Sequence, residues 1–111
     1  MIDQACKSLI NALVQCAQEC ESSAYNVCMG NQDLARCGQL CMDCASICWA
    51  NAAIVSRGSN FAADCSNLCA QICDECAEQC EQFNDSQLQS CAAACRQCAA
   101  ECNQEAAVPS Y

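Results

Sequence analysis

Cysteine and leucine recur every three or four residues along most of this chain. In the first segment the repeating positions are Cys6, Leu9, Leu13, Cys16, Cys20, Ser23 and Val27. Steps that alternate between three and four keep side chains on one face of an α-helix, because the helix repeats every 3.6 residues. The pattern predicts helices whose buried face carries cysteine where a heptad seam normally carries leucine.

The same spacing continues through three further segments, so the chain is predicted to be all-α. The 17 cysteines are Cys6, Cys16, Cys20 and Cys28; Cys37, Cys41, Cys44 and Cys48; Cys65, Cys69, Cys73, Cys76 and Cys80; and Cys91, Cys95, Cys98 and Cys102. We take all of them as candidate metal ligands, of which Cys6 and Cys28 are the least secure, because they lie at the ends of the stripe or off its register.

Three short polar breaks separate the segments, at Gly30-Asn31, at Arg57 to Asn60 and at Asn84 to Ser86. The predicted helices span about 3–29, 34–56, 61–83 and 87–105, and 106–111 form a tail. Short loops force neighbouring helices to run antiparallel. We therefore expect residues 1–111 to form one domain, an antiparallel up-down four-helix bundle with a cysteine-lined core.

Residues in the breaks also predict how the helices begin and end. Gly30 and Gly58 suit left-handed positions after a helix C-terminus. Asp33, Asn60 and Ser86 are expected to cap the second, third and fourth helices, since short polar side chains accept hydrogen bonds from free backbone N–H groups there.

Composition and charge exclude several classes of function. Apolar residues make up 54% of the chain, but the mean hydropathy is only +0.04, because alanine and cysteine dominate. The net charge of −9 argues against binding to nucleic acid or to anionic membranes. The chain has no histidine, the commonest general base, and no strand pattern that would support a thiol-disulfide oxidoreductase, so we do not expect an enzyme.

The N-terminal segment lacks the basic and small-residue pattern of an export signal, and no apolar run approaches the ~20 residues of a membrane span. We therefore expect a cytoplasmic protein. Thiols stay reduced in the cytosol, which favours metal binding over disulfides. Burial of cysteine as a small hydrophobe explains one or two such residues, but not 17.

Charge favours copper(I) among the metals that thiolates select. If each thiolate bridges two copper(I) ions and each ion takes two thiolates, a loaded core approaches neutrality. Zinc in four-thiolate sites leaves two uncompensated charges per metal in the bundle. The open alternatives are a zinc or cadmium buffer of the metallothionein type and, with less support, an iron-sulfur protein, since Cys41-x2-Cys44-x3-Cys48 resembles part of a ferredoxin motif.

The repeated motifs CSNLCAQICDECAEQC and CAAACRQCAAEC resemble those of the bacterial copper storage proteins, in the cytosolic branch without an export signal. The resemblance implies a four-helix bundle that holds many copper(I) ions on its core cysteines and assembles into homo-tetramers. It also implies exchange of copper with a donor or acceptor protein or with a small thiol. Leu9, Leu13 and Ser23 stand where relatives often place cysteine, so we expect fewer ions along helix 1.

The two ends of the predicted bundle differ. One end is expected to form an apolar plug of Leu9, Leu13, Ile54, Val55 and Phe61. The other is expected to be the copper entrance, where these residues gather: Cys28, Met29, Cys37, Cys80 and Cys91. Met29 is a possible soft ligand there.

Three bulky residues, Tyr25, Met42 and Trp49, lie off the sulfur stripe and are candidate contacts between subunits. Arg36 and Arg96 are expected to pair with acids across helices. Six acidic residues that lie off the cysteine stripe are expected to form a solvated face: Asp43, Asp74, Glu75, Glu78, Glu81 and Glu101.

Overall fold

The computed structural model describes residues 3–107, which form four long α-helices and no strand. The helices are α1 (Gln4–Ser23), α2 (Ala35–Ser56), α3 (Ala62–Glu81) and α4 (Ser86–Ala106). A π-helical turn (Ala24–Cys28) extends α1, and a 3-10 turn (Gln32–Leu34) precedes α2. The prediction of an all-α chain is confirmed.

Each helix packs against the two that are its neighbours around a square. Helix α1 contacts α2 and α4, and α3 contacts the same two helices. Chain neighbours therefore lie side by side and antiparallel, as short loops require. The molecule measures 45 × 19 × 17 Å. We call the pole where α1 and α3 begin the Leu9 end, and the pole where they finish the Cys28 end.

Two helices begin with an aspartate cap. The Asp3 carboxylate accepts a hydrogen bond from Cys6 N–H at 2.8 Å, and that of Asp85 accepts one from Leu88 N–H at 2.9 Å. The predicted cap at Ser86 is wrong, because the extended backbone is at Asp85, with φ −135° and ψ 129°, and Ser86 is already helical.

The other two predicted caps are also wrong. Asn31 rather than Asp33 acts before α2, since its side-chain oxygen accepts from the Asp33 N–H at 3.1 Å. Helix α3 begins without a side-chain cap, and the Phe61 N–H bonds to the Ser59 hydroxyl at 3.0 Å instead of using Asn60. Local side-chain to backbone hydrogen bonds compete at such sites.

Gly30 and Gly58 have φ values of +78° and +64°. Both lie in the left-handed region that side chains with a Cβ disfavour, which confirms the prediction that these two glycines end helices.

The π-helical turn changes which residue at the end of helix 1 faces the core. Met29 N–H donates to the Ala24 carbonyl, five residues back, at 2.9 Å. The extra residue in this turn brings Cys28 inward to 5% exposure and leaves Val27 half-buried. A Cβ on Gly38 would lie 3.0 Å from the Cys28 Cβ, so the glycine permits close packing of α2 here.

Small side chains flank the cysteines in the core. Buried alanines on all four helices are Ala17, Ala45, Ala52, Ala62, Ala70, Ala77, Ala92 and Ala99. Larger apolar side chains lie mainly towards the two ends of the bundle: Leu9, Leu13, Leu34, Leu40, Val55 and Leu88. The central part of the interior is therefore left to sulfur.

The Leu9 end matches its prediction in part. Leu9, Leu13 and Val55 are buried, and Ile54 packs against them. Phe61 is 70% exposed, so its predicted place in the plug is wrong. The reason is that Ala62, one residue later, takes the inward position at the start of α3.

Ion pairs link helices on the outside of the bundle. Arg96 of α4 contacts Glu81 at 2.9 Å and Asp74 at 3.2 Å, both on α3, and Arg36 of α2 lies 3.6 Å from Glu75 of α3. These contacts confirm the predicted pairing across helices. None of the described helices has the length and apolar character needed to cross a membrane.

Candidate metal centre

Twelve cysteines form a continuous row of thiols along the inside of the bundle. They make five groups in which four Sγ atoms all lie within 4.8 Å of one another. In order from the Leu9 end, the groups are Cys48, Cys69, Cys73 and Cys98; Cys16, Cys44, Cys48 and Cys73; Cys16, Cys20, Cys44 and Cys95; Cys20, Cys76, Cys91 and Cys95; and Cys41, Cys76, Cys80 and Cys91. Each group shares two thiols with the next, so no gap interrupts the row.

Cys44 shows how closely the four helices bring these thiols together. Its Sγ lies 3.6 Å from that of Cys73, 3.7 Å from Cys16 and 4.0 Å from both Cys48 and Cys95. All 17 cysteines are free thiols, and a disulfide would need about 2.05 Å. Three sulfurs roughly 4.0 Å apart surround an ion symmetrically when each metal–sulfur bond is about 2.3 Å, so the spacing suits a shared soft metal.

The row continues to the Cys28 end through one more close pair. Cys37 Sγ lies 3.4 Å from Cys80 Sγ, which lies 3.8 Å from Cys41 Sγ. Cys91 is fully buried beside this group. The structure therefore gathers Cys28, Cys37, Cys80 and Cys91 at one end, as predicted, while Met29 stands outside them with 65% of its surface exposed.

The row meets a buried polar pair at the Leu9 end, which the sequence reasoning missed. Asn51 and Ser66 are both fully buried. The Asn51 amide donates to the Ser66 hydroxyl at 3.1 Å and to the Cys102 Sγ at 3.9 Å. The signal was present, because Asn51 and Ser66 continue the steps of three and four from the cysteines on α2 and α3.

Cys6 and Cys65 stand apart from the row. Both are partly exposed, and neither belongs to any of the five groups found among residues 3–107. Cys65 lies beside the register because Ser66 takes the inward position on α3, and Cys6 lies in the first turn of α1. Burial raises the pKa of both thiols, with Asp3 adding to the effect at Cys6 and Cys69 at Cys65.

Several thiols of the core have a raised pKa, which favours their neutral form. Burial, followed by the charge of Cys37, raises the pKa of Cys28 to about 12. Hydrogen bonds to neighbouring thiols and then burial raise the pKa of Cys20, Cys73 and Cys102. A metal that binds here must displace protons, because the thiolate is the form that coordinates.

The donor set decides which metals fit. The buried polar side chains in the described part of the chain are Ser23, Asn51 and Ser66, and none of them carries a charge. Nothing cationic in the core can therefore offset the two excess charges of a four-thiolate zinc site. A soft monovalent ion bridged by thiolates needs no such compensation.

Comparison with known proteins gives the same assignment. The sequence profile of a family described as copper storage protein matches residues 2–107. No curated protein sequence gives a significant match. Several solved structures do match, and over nearly the full length of the chain.

Three of these structures come from different bacteria. The copper(I)-bound copper storage protein of Bacillus subtilis is 29% identical with a TM-score of 0.88, covering 94% of this chain and 100% of that one. A cytosolic copper storage protein of Streptomyces lividans, solved with five coppers, is 30% identical with a TM-score of 0.88, covering 96% and 95%. A protein of Nitrosospira multiformis is 35% identical with a TM-score of 0.88, covering 96% and 99%. The four-helix bundle, its sulfur row and the match of the family profile over residues 2–107 show together that this chain belongs to the copper storage protein family.

Proposed function

We propose that this chain stores many copper(I) ions on the thiolates of its core, in the cytosol. The observation that carries the proposal is the unbroken row of five overlapping four-thiol groups. A catalytic site needs one reactive thiol, whereas equivalent thiols in a row provide capacity. We therefore assign storage rather than catalysis, in line with the family.

Charge balance supports copper(I) as the cargo. One thiolate for each ion leaves a loaded row near neutrality, so the ions remain in a medium of low polarity without a large desolvation cost. The copper(I)-bound relative from Bacillus subtilis and the relative with five coppers from Streptomyces lividans favour this metal over a zinc or cadmium buffer and over an iron-sulfur cluster.

The proposed ligands are the fifteen buried cysteines, which include every member of the row together with Cys28, Cys37 and Cys102. Cys6 and Cys65 remain predicted ligands from their spacing, and their exposure makes them the weakest of the seventeen. Met29 is proposed as an outer ligand at the Cys28 end, where its exposed thioether can meet incoming copper.

A homo-tetramer remains part of the proposal. Trp49 is 41% exposed, which is unusual for so large an apolar side chain and favours its burial between subunits, whereas Tyr25 (59%) and Met42 (38%) border an open groove at the Cys28 end. The Trp49 indole N–H donates to a Glu21 carboxylate oxygen at 3.0 Å, so the ring has a preferred orientation on this surface. Sedimentation of the apo and loaded protein measures the assembly, and a monomer would exclude it.

An anaerobic titration tests the storage function. Reduced protein is titrated with copper(I) against a competing chelator, and the tightly bound ions are counted. We expect more than ten ions per chain, of the order of the thiol count. Four or fewer would refute storage. A colourless product would exclude an iron-sulfur cluster, and competition between copper(I) and zinc in the same assay distinguishes the buffer alternative.

A further inference from the structure

A groove of about 770 Å³ opens on the side of the bundle at the Cys28 end. The π-helical turn forms one wall and the start of α2 forms the other. Its lining carries three sulfur side chains, Cys28, Met29 and Met42, together with Tyr25 and Arg36. We call it the lateral groove.

Solvent does not reach the thiols of this end through the end of the bundle itself. Cys80 and Cys91 have no exposed surface, and Cys37 has 1%. Leu34 and Leu88, at the starts of α2 and α4, are also buried there. Cys28, at 5% exposure, is the one cysteine in the lining of the lateral groove, so the side of the bundle offers a route to sulfur that its end does not.

Cys28 also lies close to the row. A Cβ built on Gly38 would be 3.9 Å from Cys28 Sγ, so this thiol packs against α2 one residue beyond Cys37. Cys37 Sγ in turn lies 3.4 Å from Cys80 Sγ, a member of the row. A short series of sulfurs therefore leads from the floor of the groove to the core.

We propose that a small thiol carrying copper(I) docks in the lateral groove, and that Cys28 is the first cysteine to bind the ion. This inference rests on the proposed storage function. A volume of about 770 Å³ lies within the range of roughly 300–1,000 Å³ that is typical of small-ligand sites. A protein donor covers a surface of about 800 Å² and does not reach a recessed floor as readily.

Charge favours the same occupant. A copper(I) complex of two thiolates is anionic, and the chain as a whole has a net charge of −9. The charged lining residues of the groove are Arg36 and Asp43, so the lining itself carries no net charge, although Arg36 also lies 3.6 Å from Glu75 of α3. The groove is therefore a place where an anionic carrier meets little repulsion in an otherwise acidic protein.

The transfer is a ligand exchange without a change in oxidation state. Cys28 S–H loses its proton and forms a copper–sulfur bond. One carrier thiolate leaves the ion and takes up that proton, so copper stays copper(I). The second carrier thiolate is replaced by Cys37 in the same way, and the ion can then pass to Cys80.

Two variants test the route, each with a matched control. Loading of reduced, anaerobic protein from copper(I)–glutathione is followed by stopped-flow absorbance of the thiolate–copper band. Cys28→Ser removes the acceptor, and Ala35→Trp fills the groove while every sulfur side chain stays in place. The controls are Ala53→Ser and Ala53→Trp, which introduce the same two side chains at an exposed position outside the groove lining. We expect the initial rate to fall at least tenfold in both test variants, while both controls load like the wild type.

The number of ions bound at completion separates the two proposals. The test variants should still fill to within two ions of the wild type, since the row is intact. Wild-type loading rates in both Cys28→Ser and Ala35→Trp would overturn the lateral route and the small-thiol carrier. A wild-type protein that takes up four ions or fewer would refute storage itself, whatever the rates. Circular dichroism verifies that each variant is helical.

Discussion

Cys44 lies at the middle of the sulfur row, and its replacement by serine tests the row directly. Its Sγ has four other Sγ atoms within 4.0 Å, and it belongs to two of the five four-thiol groups. Cys65→Ser is the matched control, because the same atom changes at a cysteine that is partly exposed and belongs to none of those groups.

The expected loss of copper follows from bridging. A thiolate in the row contacts two ions, and the charge balance allows one ion for each thiolate. Cys44→Ser should therefore bind one or two fewer ions than the wild type, while Cys65→Ser should lose fewer ions than Cys44→Ser, because Cys65 is a weaker ligand that belongs to none of the groups. Native mass spectrometry of the anaerobically loaded proteins counts the ions.

The apo protein should report the same difference in stability. The side-chain neighbours closest to position 44 are thiols, which are weak hydrogen-bond partners for a serine hydroxyl, so the free energy of unfolding should fall by about 1–3 kcal/mol. Cys65→Ser should change it by less than about 0.5 kcal/mol, as an exposed substitution usually does. Urea denaturation under reducing, anaerobic conditions measures both values.

One result would refute this reasoning. If Cys65→Ser loses as many ions and as much stability as Cys44→Ser, the row is not what binds copper. Copper would then be held on thiols irrespective of their place in the bundle.

Three further predictions follow from particular contacts. Asn51→Ala should lower the free energy of unfolding by about 1–3 kcal/mol, because the Ser66 hydroxyl loses its hydrogen-bond partner. The double variant Asn51→Ala/Ser66→Ala should cost much less than the sum of the two single variants. Denaturation of the wild type, both single variants and the double variant measures this coupling, and additive costs would contradict it. The pKa of Cys28 is raised from 9.0 to about 12, so the stability that comes from its neutral thiol is complete below pH 9 and is lost between pH 9 and 12. The Tm of the apo protein should therefore fall over that pH range, and it should fall less steeply in Cys28→Ser. Identical slopes in the two proteins would exclude this thiol as a cause. Gly38→Ala should lower the Tm of the apo protein, because the new methyl group would lie 3.0 Å from the Cys28 Cβ. This contact opposes the helix preference of alanine over glycine, which is worth up to about 1 kcal/mol. A raised Tm would show that the π-helical turn shifts to accommodate the methyl group without cost.

Periodicity alone predicted most of the fold. The cysteine and leucine spacing predicts four helices and the face that each one buries, since a buried stripe must follow the helical repeat. It also identified Leu13, Cys44 and Cys95 as core positions, and all three are fully buried. Gly30 and Gly58 were predicted correctly because few other residues tolerate positive φ.

The π-helical turn was beyond the reach of this reasoning. A fixed period of 3.6 places Val27 inward, and only the wider turn exchanges it for Cys28. Gly38 of another helix leaves room for Cys28 at this turn, since a Cβ there would lie 3.0 Å from the Cys28 Cβ. A contact between residues on two different helices leaves no trace in the periodicity of either helix.

The predictions of the helix caps were wrong, and the buried pair of Asn51 and Ser66 was missed, for different reasons. Asp85 and Ser86 are adjacent residues that can both cap a helix, and backbone geometry decided between them. Asn51 and Ser66 follow the cysteine stripe, but polar residues in a core are recognised only when their partners are known, and each is the partner of the other across two helices.

Copper anomalous diffraction from crystals of the fully loaded protein tests the central claim most directly. We predict more than ten copper peaks inside the bundle, in a row that runs from the Cys37 and Cys80 pair to the polar pair of Asn51 and Ser66. Each ion should have sulfur ligands. Copper bound mainly to surface carboxylates, or four or fewer peaks between the helices, would contradict the account.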